Sequence, residues 1–510
     1  MAMRKVAKLA ALREDRGLRV EIGDEKIMLL RDGDAVRAYS AICPHAGGPL
    51  DEGAVCDGRI VCPWHKGTFR LSDGALLEPP PLDRLARYPV EVDGDDVLVS
   101  PEKIVEPQPS PPADPRVMLI AGAGAAGAAA VAALREFGFG GRIVLVGREQ
   151  GPPFDRTSLS KFVVAGQMPP EETPSLLPDT FYADQRIERI EGELSRLDVR
   201  RREATLADGH TLQFDAALIA TGSVPRALDL PGVDLPGVHM LRTRQDAAAI
   251  LADVRRGAPA VILGSSFIGL EIASCLREQE MAVSVVAPEE VPFARQFGER
   301  IGRSFRTLHE AHGVRFHLGT EAVRLDGTGR VESVVLKDGS VLPARLVIIG
   351  VGVRLATEFV EGVEREKDGG VPVDATMRVA DQVYAAGDIA AFPLPSGGPR
   401  ARIEHWRVAQ QQARIAARNM LGGDAAYDGV PFFWTYHYEK TFEYLGHAKT
   451  WDDVVIEGDL DRQDFAALLV QGGMVGAVVA CGRDRVTAIL AERLRGPLST
   501  EAALRIIRSA

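Results

Sequence analysis

Val117-Met-Leu-Ile-Ala-Gly122-Ala-Gly124-Ala-Ala-Gly127-Ala-Ala-Ala-Val-Ala-Ala-Leu134 is an unbroken run of 18 residues without a charged or polar side chain. That is about the minimum length of a membrane-spanning helix. The run is mostly Ala and Gly, which carry little transfer energy, and its Gly-x-Gly-x-x-Gly spacing predicts a strand, a tight turn and a helix instead. Glycines in such a turn let a pyrophosphate approach the backbone and rest on the helix N-terminus. The next strand, Arg142-Ile-Val-Leu-Val146, runs into Gly-Arg-Glu149 and puts an acid where a ribose hydroxyl would be held.

Working outward, a second unit of the same kind begins at Ala260-Val-Ile-Leu263. It turns through Gly264-Ser-Ser266-Phe-Ile-Gly269 and continues to Val283-Ser-Val-Val286. Two βαβ units in one chain predict two nucleotide-binding domains, one inserted in the other. Upstream, prolines at 101, 107, 109, 111, 112 and 115 mark a semi-rigid spacer. Before them, short strands alternate with turns at Arg31–Asp34, Asp73–Gly74 and Asp93–Asp96, as in a small all-β unit. From about residue 430 the composition turns aromatic and then strand-like, which reads as a separate α+β domain.

The 510 residues carry 60 basic and 71 acidic side chains, a net charge of −11, and so show no electrostatic footprint for nucleic acid. Five cysteines (Cys43, Cys56, Cys62, Cys275, Cys481) are too few and too odd for a secreted disulfide framework. Met1–Leu12 has no apolar core or cleavage site, so no secretory signal is evident and a reducing cytoplasm is expected.

Cys43-Pro-His45 and Cys62-Pro-Trp-His65 are two short loops, each offering one thiolate and one imidazole. Thiolates on one iron and imidazoles on the other make the Rieske [2Fe–2S] arrangement. Zinc held by the same two Cys and two His is the alternative. The flanking Gly47-Gly48-Pro49-Leu50 and Lys66-Gly67-Thr68-Phe69 resemble Rieske domains. Gly48 and Trp64 stand where respiratory Rieske domains carry an extra disulfide, so the resemblance is to the ferredoxin-type domain. Cys56, Cys275 and Cys481 are expected to have no redox role.

The Gly122 turn, Glu149, Ala220-Thr221-Gly222-Ser-Val-Pro225 and Tyr384-Ala-Ala-Gly387-Asp388 occur in the order seen in the FAD-binding pyridine nucleotide–disulfide reductase superfamily, which they resemble. The resemblance implies that Asp388 contacts the flavin ribitol. It also implies that Gly264, Ser266, Gly269 and Glu271 form the NAD(P)H fingerprint, Ser266 replacing a glycine and adding a hydroxyl near the pyrophosphate. Glu289 and Glu290 favour NADH over NADPH.

Pro153-Phe-Asp-Arg156-Thr-Ser-Leu-Ser-Lys161 resembles the matching stretch of ferredoxin reductases and apoptosis-inducing-factor-like flavoproteins, as does Arg402-Ile-Glu-His-Trp406. In that group the lysine lies against the flavin and pairs with the fingerprint glutamate, here Lys161 and Glu271, the catalytic candidates. Trp406 and Trp434 are implied as flavin contacts. No C-x4-C or C-x2-C pair stands ready to act as a redox dithiol.

With the Rieske unit, the resemblance implies residues 1–105 as a Rieske domain, 106–115 as linker, 116–240 and 353–428 as the FAD-binding domain, 241–352 as the NAD(P)H-binding domain and 429–510 as a reductase dimerisation-like domain. The fold class expected is a small all-β domain, two three-layer α/β Rossmann-like domains of the glutathione reductase kind, and a small α+β domain. The expected function is hydride transfer from NADH to FAD and single-electron transfer through the fused cluster to an external acceptor. Alternatives are reduction of a quinone or oxygen directly at FAD, and a redox-sensing interaction protein. The acceptor, in the redox-protein class or not, and a homodimer are left undefined; no membrane span is expected. The proline-rich spacer suggests a Rieske unit able to swing. His309, His312 and His317 mimic a mononuclear iron motif, but Gly313 breaks the helix between them and no oxygenase-sized domain exists, so they are read as packing or surface histidines.

Overall fold

The computed structural model describes residues 3–105, 111–395 and 397–509. Pro107 and Pro109 of the proline-rich spacer lie outside the described residues.

The N-terminal unit consists of three small antiparallel sheets. Strands Ala54–Cys56, Arg59–Val61, Thr68–Arg70 and Leu76–Glu78 form the one that carries the second Cys-Pro loop. Met28, Leu30, Tyr39, Ile60 and Phe69 form a core that also encloses Cys43 and Cys62.

The Val117 run folds as a strand, Val117–Ala121, and a helix, Ala125–Glu136. Helix residues 125–134 are all buried, which explains a helix apolar on every side without a membrane. Its small side chains meet Ala409, Ala413, Ala416 and Ala417 of helix Trp406–Met420, so the two backbones pack closely. Among the described residues no helix is long and apolar enough to cross a membrane.

The strand lies inside a six-stranded sheet in the order Ile187–Glu191, Arg142–Gly147, Val117–Ala121, Ala216–Ile219, Val383–Ala385 and Arg378–Ala380. The first five are parallel and the last antiparallel. Connections leave Val117–Ala121 in opposite directions, and ligands bind at such a switch point, beyond the carboxyl ends of the strands. A second parallel sheet orders Val238–His239, Leu346–Ile349, Pro259–Leu263, Ala282–Ala287 and Arg315–Leu318, its glycine turn leading into helix Phe267–Glu278. A five-stranded antiparallel sheet from Phe432 to Cys481, with helices Asp484–Arg493 and Thr500–Ser509, completes the chain.

Candidate functional site

The first glycine turn opens on a cavity of about 420 Å³. It brings together Gly122, Gly124, Glu149, Arg156, Thr221, Gly222, Gly387, Asp388 and Trp406, nine of the residues singled out in the sequence. Gly127 lies beneath the turn, where a Cβ would overlap the Gly122 carbonyl oxygen. Gly122 itself has φ +122° and no room for a side chain against the Ala220 carbonyl. Gly127→Ala should therefore push the turn apart; absorbance of the purified variant should show little bound flavin, and full flavin content would refute this role of the turn.

Polar atoms suit a nucleotide there. Glu149 Oε1 accepts a hydrogen bond from Arg156, while its buried Oε2 has no protein partner, as a ribose-binding acid requires. Asp388 is fixed by the Ser223 hydroxyl at 2.6 Å and by Arg242 at 3.6 Å, a cation that sequence reasoning missed. His405 Nδ1, also missed, lines the same cavity and is buried without a protein partner; burial holds the imidazole down at about 3, so it stays neutral. These residues fit FAD.

Lys161 and Glu271 lie outside that cavity lining and form a buried pair of their own. Lys161 stands in a π-helical turn, Leu159–Val163, a distortion common at functional sites. Its Nζ is 3.0 Å from Glu271, which projects from the first turns of helix Phe267–Glu278. The carboxylate also accepts the Ser160 hydroxyl at 2.5 Å, the Thr435 hydroxyl at 2.7 Å and the Tyr436 N–H at 3.1 Å. The desolvation cost of a buried ion pair is offset only when its remaining lone pairs are satisfied in this way. The Ser266 hydroxyl accepts the Gly269 N–H at 3.2 Å and caps the helix at this glycine turn.

The two Cys-Pro loops are near copies. In each, the cysteine N–H donates to a carbonyl five residues on (Gly48, Gly67), and its own carbonyl accepts from four residues on (Gly47, Lys66). Gly47 and Lys66 hold the same left-handed conformation, φ +79° and +58°. The loops bring Cys43 and Cys62 into mutual hydrogen bonding, and His45 Nδ1 to 3.1 Å from His65 Nδ1. Backbone N–H groups of His45 and Ala46 point at one sulfur, those of Trp64 and His65 at the other, as thiolate ligands need. Burial lowers both imidazoles, leaving neutral donor nitrogens. Among the described residues no three His, Cys, Asp or Glu are placed to hold one ion. One pair of thiols and one pair of imidazoles suit the two irons of a [2Fe–2S] cluster. Cys275 is a buried thiol bonded to the Ser160 and Lys161 carbonyls, and burial pushes it well up, so it is not a nucleophile.

Trp434 joins the halves. Its ring lies 4.1 Å from the His65 ring, centroid to centroid, and 5.9 Å from Lys161 Nζ. It stands between Lys161 and His65. The Rieske unit is held there by buried charges. Lys66, fully buried, places Nζ 2.5 Å from Glu443, whose carboxyl burial pushes up to about 7 despite that cation. Glu78 meets Arg407, Arg495 and Gln411. Arg407 also donates to the carbonyls of Pro79, Lys66 and Val430 at 2.8–3.0 Å. A swinging unit, which the prolines suggested, would have to expose all of these groups.

Residues 116–413 match the pyridine nucleotide-disulphide oxidoreductase family, residues 2–89 the Rieske [2Fe-2S] domain and residues 432–498 the reductase C-terminal family. The chain is 36% identical over 495 residues to apoptosis-inducing factor 3 of Mus musculus, covering 93% of this chain and 81% of that protein. It is 35% identical over 380 residues to the ferredoxin–NAD(+) reductase component of the biphenyl dioxygenase system of Paraburkholderia xenovorans (strain LB400), covering 74% and 92%. A solved covalent putidaredoxin reductase–putidaredoxin complex superposes with a TM-score of 0.72 at 27% identity, covering 78% of this chain and 99% of the matched one.

Proposed function

The chain belongs to the pyridine nucleotide-disulphide oxidoreductase family, with a Rieske [2Fe–2S] domain at its N-terminus, and from that premise we propose that hydride from NADH passes to FAD and leaves as single electrons through the chain's own cluster to an external acceptor. The observation that carries this reading is Trp434, its ring tilted against that of His65 at 4.1 Å and lying 5.9 Å from Lys161 Nζ.

The residues divide the work. Gly122, Gly124 and Gly127 admit the pyrophosphate, Glu149 holds a ribose and Asp388 the ribitol. Lys161 places a positive charge at the flavin and so favours its reduced, anionic form. Glu271 pairs with that lysine in a buried site. Cys43, Cys62, His45 and His65 hold the cluster, and Lys66 with Glu443 fixes the ligand loop against Trp434. For the acceptor we favour a redox protein, since Trp64, beside His65, remains 40% exposed and offers an apolar edge next to the cluster. The unpaired cysteines suit a reducing cytoplasm.

Anaerobic titration with NADH tests the reading. Flavin bleaching should be accompanied by the electron paramagnetic resonance signal of a reduced Rieske cluster. Bleached flavin with a cluster that stays oxidised, or His65→Ala leaving transfer to a redox-protein acceptor intact, would sink it in favour of direct reduction at FAD.

A further inference from the structure

His309 and His312, part of the false iron motif, have different fates. His312 is exposed; His309 is fully buried and is the fourth in a line of five side chains that starts at Glu271. The Thr435 hydroxyl is 2.7 Å from Glu271 Oε1, and Thr435 Oγ1 is 2.9 Å from His437 Nε2. His437 Nδ1 is 3.3 Å from His309 Nε2, and His309 Nδ1 is 3.1 Å from the Tyr438 hydroxyl. Tyr438 is half-buried, its ring stacked 3.7 Å from the exposed His312 ring, where the line reaches the surface.

The hydrogens in this line order themselves. Glu271, ionised against Lys161, only accepts, so Thr435 donates its single proton to it. Thr435 must then accept from His437 Nε2, His437 Nδ1 from His309 Nε2, and His309 Nδ1 from Tyr438, because a neutral imidazole has one donor and one acceptor nitrogen. Burial, and then the charge of Lys161, holds His437 at about 3 although the ring also meets the Leu270 backbone carbonyl; burial, His437 and His312 hold His309 well below its usual value. Both rings are thus neutral. Near the inner end stand Lys161, Ser160 and the Cys275 thiol; near the outer end Arg277, Glu278 and Glu439.

We propose that Glu271 exchanges one proton with solvent through Thr435, His437, His309 and Tyr438, taking it up as negative charge arrives on the flavin and returning it as electrons leave. On uptake, water protonates Tyr438 oxygen as its O–H proton moves to His309 Nδ1. The His309 Nε2 proton moves to His437 Nδ1, the His437 Nε2 proton to Thr435 oxygen, and the Thr435 proton to Glu271. Four bonds to hydrogen within the line break, each acceptor gains one, and no electron moves. Every donor then points outward, the arrangement the return needs, so neither buried ring has to flip. With Glu271 neutral, the charge on Lys161 is left to balance that of the reduced flavin. The relay needs only flavin at Lys161 and is independent of the route through the Rieske cluster.

Infrared difference spectra of the reduced minus oxidised holoenzyme, in water and in deuterium oxide, test this without measuring turnover. Reduction should raise a carboxylic-acid carbonyl band that shifts in deuterium oxide and is lost in Glu271→Gln. In Tyr438→Phe, which keeps the ring on His312, and in His309→Gln, the band should build up about a hundredfold more slowly. Absence of the band in the unaltered protein, or unchanged build-up in Tyr438→Phe with its flavin and circular dichroism intact, would overturn the proposal; should His309→Gln misfold, Tyr438→Phe alone decides.

Discussion

Glu78→Ala should unseat the Rieske unit and cost about 3–5 kcal/mol, because it leaves the buried Arg407 without its counter-charge. Arg407 is 2% exposed, and Arg495 reaches the same carboxylate from the C-terminal domain. Burial alone would raise the Glu78 carboxyl, but Arg407 and Arg495 hold it below its ordinary 4.5. A depressed carboxylate contributes stability in full above that unfolded value and loses it as pH falls through the folded one. Calorimetry at pH 7 should therefore resolve an early transition of the Rieske unit in Glu78→Ala, and the unaltered protein should show the same separation only on acidification below about pH 4.5. An unchanged single transition in the variant would show that the ion network does not hold the domains together.

Trp434→Ala is expected to slow cluster reduction about a hundredfold, the scale of loss when reacting groups lose their contact by a few ångströms. The indole fills the space between the His65 ring and Lys161, and alanine leaves a gap there. Stopped-flow mixing with NADH should separate the two events: flavin bleaching first, then a delayed cluster signal. Trp434→Phe, which restores part of the ring, should recover part of the rate. Cluster reduction at the original rate in Trp434→Ala would place the path elsewhere.

What could be read from the chain was local. A glycine turn must follow its strand directly, and each Cys-Pro loop compresses a Cys and a His into three or four residues. Hence the Gly122 turn, the two Cys-Pro loops and the alternation of strand and helix were legible. The interface was not. Lys66 meets Glu443 across 377 residues, and Glu78 meets Arg407 across 329, with nothing in either neighbourhood to mark a partner. Lys66 stands one place after His65 with nothing beside it in sequence to mark it as buried; its backbone turns left-handed there and its side chain is fully enclosed. Ser266 was legible as a hydroxyl in a nucleotide turn, but whether it faces ligand or helix depends on a rotamer. The histidine at 309 carries a pattern the fold uses differently, because its helix packs on the strand that brings His437.

The seat of the Rieske unit has a kinetic consequence. A separate redox carrier must find its reductase, so its reduction rises with carrier concentration and, where charges steer the encounter, falls with salt. Here Lys66–Glu443 and Glu78–Arg407 have already made that encounter part of folding, and their charges are shielded from solvent. Reduction of the cluster should thus be first order, indifferent to protein dilution and nearly so to ionic strength, leaving any salt dependence of turnover to the step in which the electron leaves the molecule.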